Sequence, residues 1–163
     1  EVLKLDKELK EVSTSLDKAE DLFYIGRGLD YALACEGSLK LKEISYIHSE
    51  SYAAGELKHG TISLITDNLP VIALATQEDV YAKMISNIRE VKARGAMVIL
   101  VTNGDMEVDK SICEHHIAIP KISDCFAPFA TAVVIQYIAY YCALHRELNV
   151  DQPRNLAKSV TVE

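Results

Sequence analysis

The chain has 163 residues, which suits one domain able to bury roughly 70% of its unfolded surface. A net charge of −7 excludes the basic footprint of a nucleic-acid-binding protein. No apolar run is predicted to reach membrane-spanning length, and the charged N-terminus is unlike a signal peptide. The four cysteines form no C-x-x-C pair, so their spacing indicates neither a disulfide framework nor a metal site. Thiols without such a framework are typical of a reducing cytoplasm. Cys35 and Cys142 are predicted to be small core residues.

Residues 2–19 predict an amphipathic helix, because apolar residues recur at helical spacing with charges between them. We interpret residues 1–20 as a connecting helix and residues 21–149 as the domain proper. The run DLFYIG, Asp21–Gly26, predicts a buried strand, and Gly26 and Gly28 predict a tight turn into the next helix. That turn could hold an anion through its backbone amides, although close packing of helix on strand explains the glycines equally well.

The rest of the chain alternates between strands and helices. The predicted elements are strands over Pro70–Ala75, 97–102 and 116–120, and helices over 79–94 and 126–146. Near-continuous apolar strands that alternate with helices indicate an α/β fold with a mostly parallel sheet and helices on both faces. After Val150 the periodicity ends and Pro153 intervenes, so residues 150–163 predict an irregular tail that docks against another, unspecified surface.

One helical segment carries an unusual density of titratable groups. At about 100° per residue, Glu36, Lys40 and Glu43 fall within an arc of about 60°, and His59 follows shortly after the helix. On spacing alone, ordinary ion pairs on a solvated face explain this pattern. A lysine, a glutamate and a histidine in one cleft would instead be able to move protons at neutral pH.

Two long motifs carry a family resemblance. The run EGSLKLKEISYIHSESYAAGELKHG, residues 36–60, resembles the second sugar-isomerase (SIS) module of the glucosamine-6-phosphate synthases, which are glutamine–fructose-6-phosphate aminotransferases. The run DQPRNLAKSVTVE, residues 151–163, is similar to the C-terminal active-site tail of that family. The resemblance implies a three-layer α/β/α sandwich, no cofactor and no metal. It also implies conversion of fructose 6-phosphate, with ammonia from glutamine, into glucosamine 6-phosphate.

The resemblance also implies roles for particular residues. Lys158 forms an imine with the open-chain ketose, and Glu43 moves a proton between adjacent sugar carbons. Lys40 assists by proton relay and charge balance, and Glu36 orients Lys40. His59 opens the sugar ring in the site of the partner in a homodimer.

Sugar contacts are thereby expected at His59, Glu43 and Ala157. Ser/Thr-rich phosphate loops are absent after the second and third predicted strands, where the acidic runs 75–79 and 103–105 stand instead. We therefore expect the first SIS module, which in the family precedes this one in the same chain, to supply the phosphate-binding loop. A glutaminase domain is expected to supply ammonia. Two alternatives remain open: a non-catalytic sugar-phosphate sensor and a structural dimerisation module.

Overall fold

Five parallel strands form one sheet in this computed structural model, which describes residues 1–104 and 106–156. The strand order is β2-β1-β3-β4-β5, and every neighbouring pair is parallel. In chain order the elements are α1 (Asp6–Thr14), β1 (Asp21–Gly26), α2 (Leu29–Ser45), β2 (His48–Ala53), β3 (Pro70–Ala75), α3 (Glu78–Lys92), β4 (Met97–Asn103), β5 (His115–Ile119) and α4 (Ala127–His145). The predicted α/β class is confirmed.

Helices cover both faces of this sheet, because alternate strand residues are apolar in both directions. In β1, Leu22 and Tyr24 point into a core shared with α1, α2 and α4. Phe23 and Ile25 point the other way, into a core shared with α3 and short 3-10 helices. The result is the predicted three-layer α/β/α sandwich.

The edge strand β2 was missed by the sequence prediction. Its sequence, HSESYA, carries no apolar run, and only Ser49 in it is fully buried. The strand forms because its backbone pairs with all six residues of β1, from Asp21 opposite His48 to Gly26 opposite Ala53. A strand at the edge of a sheet needs little inward apolar surface, so its pattern gave no strand signal.

Helix α2 packs mainly through small residues, whereas its sequence predicts apolar surface at Ala32, Leu33, Leu39 and Ile44. Of these four residues, Leu33 and Ile44 pack against the core. The buried residues of the helix are Asp30, Ala34, Gly37, Ser38, Leu41 and Ser45, whereas Leu39 is 44% exposed and Ala32 is exposed as well. A Cβ on Gly37 would lie 2.7 Å from Cε1 of Tyr24, so the helix approaches β1 closely at this point. This close packing accounts for the low apolar content of the buried face.

The N-terminal helix α1 belongs to the same core as the sheet. Leu9, Val12 and Leu16 are buried, and α1 packs against α4. The Tyr141 hydroxyl donates to Asp6, and His145 Nδ1 lies 2.8 Å from Asp17 Oδ1. The domain boundary at residue 20 stays a prediction, but α1 contributes to the stability of this core.

Helix α4 alone among the described elements has the length and apolar composition of a membrane span, contrary to the expectation from sequence. Half of the window that meets this test is buried inside the domain, and core helices of folded domains meet the same test. Cys142, on this helix, is buried as predicted. The prediction for Cys35 was wrong: its thiol is exposed and accepts a hydrogen bond from Ser51 Oγ at 3.3 Å.

Candidate active site

The titratable cluster lies near the C-terminal end of α2. Lys40 Nζ donates to Glu43 Oε2 at 2.6 Å and lies 3.7 Å from Glu36 Oε1. Side-chain exposure is 31% for Lys40 and 27% for Glu43, so both groups are partly shielded from water. The structure therefore brings Glu36, Lys40 and Glu43 together on one face, as their spacing predicts.

The two carboxylates determine the charge of the lysine. The hydrogen bond to Glu43 is the main reason that the pKa of Lys40 is raised, and charge attraction to Glu43 and Glu36 adds to it, against a smaller lowering by desolvation. Lys40 is therefore an ammonium at neutral pH. It is suited to donate a hydrogen bond and to balance charge, but not to accept a proton.

His59 lies on a different part of the domain. It ends the 3-10 helix Ala54–His59, which follows β2 and packs through Ala54 and Leu57 into the α3 side of the core. Its Nε2 lies 3.9 Å from Glu56 Oε2, and the side chain is 64% exposed. Among the described residues, no hydrogen bond or ion pair joins His59 to Lys40 or Glu43. Within one chain the histidine is separate from the cluster.

A guanidinium group braces the segment that carries His59. Arg27 Nε donates to Asn87 Oδ1 of α3 at 3.0 Å, and its terminal nitrogens lie against Gly55 at the start of the 3-10 helix. Arg27 follows β1 directly, so it connects the β1–α2 turn, α3 and the His59 segment. This contact was not predicted, because Gly-Arg-Gly alone indicates only a turn.

We expect Gly55→Ala to destabilise the domain by about 1 kcal/mol. The new Cβ would lie 2.5 Å from a terminal nitrogen of Arg27, but the end of a flexible side chain can move away. Thermal unfolding measures the loss. Gly60→Ala is the contrast: there the added Cβ meets no atom within 4 Å, and the cost comes from the positive φ of 145° instead. Restored stability in the double variant Gly55→Ala/Arg27→Ala would confirm the steric cause, and an unchanged loss would contradict it.

The C-terminal tail meets α2 beside the cluster. The backbone N–H of Arg154 donates to the Tyr46 hydroxyl at 2.8 Å, and the guanidinium carbon of Arg154 lies 4.0 Å from the centre of the Tyr46 ring. Tyr46 caps α2 and comes three residues after Glu43. Ala157 and Lys158 lie outside the described residues. The described part of the tail therefore reaches the end of α2 that carries Lys40 and Glu43.

The carboxyl edge of the sheet carries a polar network that sequence reasoning missed. Asp30, only 1% exposed, accepts hydrogen bonds from Thr76 N at 2.6 Å and from Thr76 Oγ1 at 2.5 Å. Asp124 Oδ2 accepts from Glu78 N at 2.6 Å, at the N-terminus of α3. Strand order reverses between β1 and β3, and ligands of open α/β sheets commonly bind at such a position. Here the carboxylates of Asp30 and Asp124 accept from backbone N–H groups of Thr76 and Glu78 that could otherwise face an anion.

A family model described as the SIS domain matches residues 15–146 of the chain. The chain belongs to the SIS domain family. It is 52% identical over 162 residues to a glutamine–fructose-6-phosphate aminotransferase [isomerizing] of Clostridium tetani, and 56% identical over 145 residues to one of Caldanaerobacter subterraneus. These alignments cover 99% and 88% of the chain but only 26% and 24% of the relatives.

Solved structures agree with this assignment. The C-terminal domain of glucosamine-fructose-6-phosphate aminotransferase from Francisella tularensis matches with a TM-score of 0.85 and 38% identity, over 93% of this chain and 43% of that one. A putative phosphosugar isomerase from Bacillus subtilis matches with a TM-score of 0.75 at 19% identity, and this likeness concerns the fold only. This SIS domain thus spans about a quarter of the length of its curated relatives.

Proposed function

We propose that this SIS domain is the C-terminal isomerase module of a glutamine–fructose-6-phosphate aminotransferase. One observation carries the proposal beyond similarity: the tail is held at Tyr46, one helical turn from Glu43. This contact supports a site in which the amine of Lys158 and the carboxylate of Glu43 act on the same sugar. Four cysteines without a disulfide among the described residues fit a reducing cytoplasm, where we place the enzyme.

The proposed chemistry begins with an imine. The neutral amine of Lys158 adds to the C2 carbonyl of open-chain fructose 6-phosphate, and loss of one water forms the C=N bond. Ammonia then displaces the lysine and leaves a sugar imine. With the imine nitrogen protonated, Glu43 removes a proton from C1 to form a neutral enolamine and returns it to C2. The C1 hydroxyl loses its proton to water as the aldehyde forms, which gives the 2-amino aldose, glucosamine 6-phosphate. Lys40 stays cationic and balances the charge of Glu43 during both transfers.

A complete site requires groups from outside this chain. His59 does not reach the cluster within one chain, so we propose that it opens the ring in the site of a second copy, in a homodimer. The backbone N–H groups of Thr76 and Glu78 already donate to Asp30 and Asp124, which supports a phosphate-binding loop in a preceding SIS module. A glutaminase domain would supply ammonia.

The sensor alternative requires this domain to hold a sugar phosphate alone. The loop after β3 offers Thr76, but its amide and hydroxyl both donate to Asp30. Titrating the isolated domain with fructose 6-phosphate separates the two functions. Binding tighter than about 10 μM would favour the sensor, since that affinity of about −7 kcal/mol requires a formed phosphate site.

Chemical trapping tests the proposed enzyme directly. A complete synthase that carries this chain is incubated with fructose 6-phosphate without glutamine, and cyanoborohydride reduces any C=N bond to a stable secondary amine. We expect mass spectrometry to find the hexitol phosphate on Lys158 and to find none in Lys158→Arg. Lys42, on α2 but outside the cluster, is the internal control. Labelling of other lysines in equal amount, or none in the wild type, would overturn the proposal.

A further inference from the structure

Tyr46 occupies an unusual backbone position for its residue type. It ends α2 with a left-handed conformation, φ 60° and ψ 15°, which glycine adopts at lower cost. A tyrosine at this cap position is less stable than a glycine would be, but its side chain makes two separate contacts with Arg154. The hydroxyl accepts the backbone N–H, and the ring face receives the guanidinium.

The chain before Arg154 is directed toward this contact. After α4, Asn149 Oδ1 accepts the backbone N–H of Asp151 at 3.0 Å and of Gln152 at 3.1 Å, which fixes a turn. The next residues pass from α4 to the end of α2. The tail thus has a defined anchor, and that anchor is separated by 108 residues from its partner in the chain.

Chain length links this anchor to the reacting amine. Lys158 follows Arg154 by four residues, so its backbone stays within about 14 Å of the anchor. Glu43 precedes Tyr46 by three residues of helix, a rise of about 5 Å. An anchored tail therefore limits how far the amine can lie from the end of α2 that carries the carboxylate.

We propose that Tyr46 and Arg154 are positioning residues, which hold the tail so that Lys158 reaches the sugar carbonyl over Glu43. The inference rests on the proposed function and assigns roles to two residues outside its catalytic set. Confinement raises the effective concentration of the amine at the carbonyl, so it acts on the rate of imine formation. In this role the two residues act on the tail and not on the sugar, so we expect substrate affinity to change little.

The two contacts can be removed separately. Arg154→Ala deletes the guanidinium but keeps the backbone hydrogen bond, and Tyr46→Phe deletes the acceptor but keeps the ring. We expect each to slow borohydride-trapped imine formation at saturating fructose 6-phosphate, by about two- to fivefold for Arg154→Ala and about two- to tenfold for Tyr46→Phe. Tyr46→Ala, which removes both contacts, should slow it by about tenfold or more, and Arg154→Lys should recover part of the rate.

Controls separate this inference from a structural effect and from the proposed function. Arg94→Ala removes another exposed arginine, at the end of α3, and should leave the trapping rate unchanged. KM for the sugar and glutaminase activity should stay within about twofold in every variant. Normal trapping in both Arg154→Ala and Tyr46→Ala would overturn the inference while leaving the function intact. Absence of trapping in the wild type would instead overturn the function.

Discussion

The Glu43→Gln variant of a complete synthase is expected to lose sugar conversion by about 10²–10⁴-fold, the usual contribution of a general acid–base group. Glutamine keeps the length of the side chain and can still accept the hydrogen bond from Lys40 Nζ, now 2.6 Å from Glu43 Oε2. It cannot take a proton from C1 of the sugar. The pKa of Lys40 should fall, because its hydrogen bond to residue 43 is no longer to a charged oxygen and the charge attraction to Glu43 is lost. The loss is measured as glucosamine 6-phosphate formed at saturating substrates.

The neighbouring carboxylate supplies the matched control. Glu36 lies 3.7 Å from the same ammonium but is 46% exposed, and Glu36→Gln should reduce turnover by less than about tenfold. Both variants should retain the melting temperature within a few degrees, since exposed ion pairs stabilise little. Trapping of the imine on Lys158 should survive in Glu43→Gln, because the carboxylate acts after the imine forms. Sugar turnover within fivefold of the wild type would remove Glu43 from the site.

Apolar strands and long helices were predictable because their own residues carry the signal. β1, β3, β4, α3 and α4 were located to within about two residues by local periodicity. β2 was not, since its strand conformation depends on pairing with β1, whose residues lie 27 positions earlier. The buried face of α2 was predicted only in part. Leu33 and Ile44 pack against the core as expected, but Gly37 and Ser38 pack closely against the sheet, where larger residues would not fit.

The candidate site divides in the same way. The Glu36–Lys40–Glu43 cluster follows from helical spacing, because its members are neighbours in sequence. The contact between Tyr46 and Arg154 joins residues 108 positions apart, and that between Asp30 and Thr76 joins residues 46 apart. No local pattern marks such pairs, so only the folded chain reveals them.

The Asp30→Ala variant is expected to lose about 2–4 kcal/mol of folding free energy. Asp30 is 1% exposed, and its removal leaves the amide and hydroxyl of Thr76 buried without their acceptors. For a domain of this size the melting temperature should fall by roughly 5–15 °C. Asp79 occupies the same second position of its helix, α3, but is exposed. Asp79→Ala should cost no more than about 1 kcal/mol, and an equal loss in both variants would contradict the role given to burial.

Asp30→Asn distinguishes the hydrogen bonds from the charge. The amide oxygen can accept Thr76 N–H while the amide nitrogen donates to Thr76 Oγ1, so most of the stability should return. Burial is the main reason that the pKa of Asp30 is raised, and Asp124 adds to it, against lowering by the Thr76 hydrogen bonds. Between the unfolded value of about 3.9 and the raised pKa, the native state binds more protons than the unfolded state, so wild-type stability falls as pH rises. The melting temperature of Asp30→Asn relative to wild type should therefore increase from pH 4 to pH 7. A relative decrease would show that the folded protein lowers the pKa of this carboxyl.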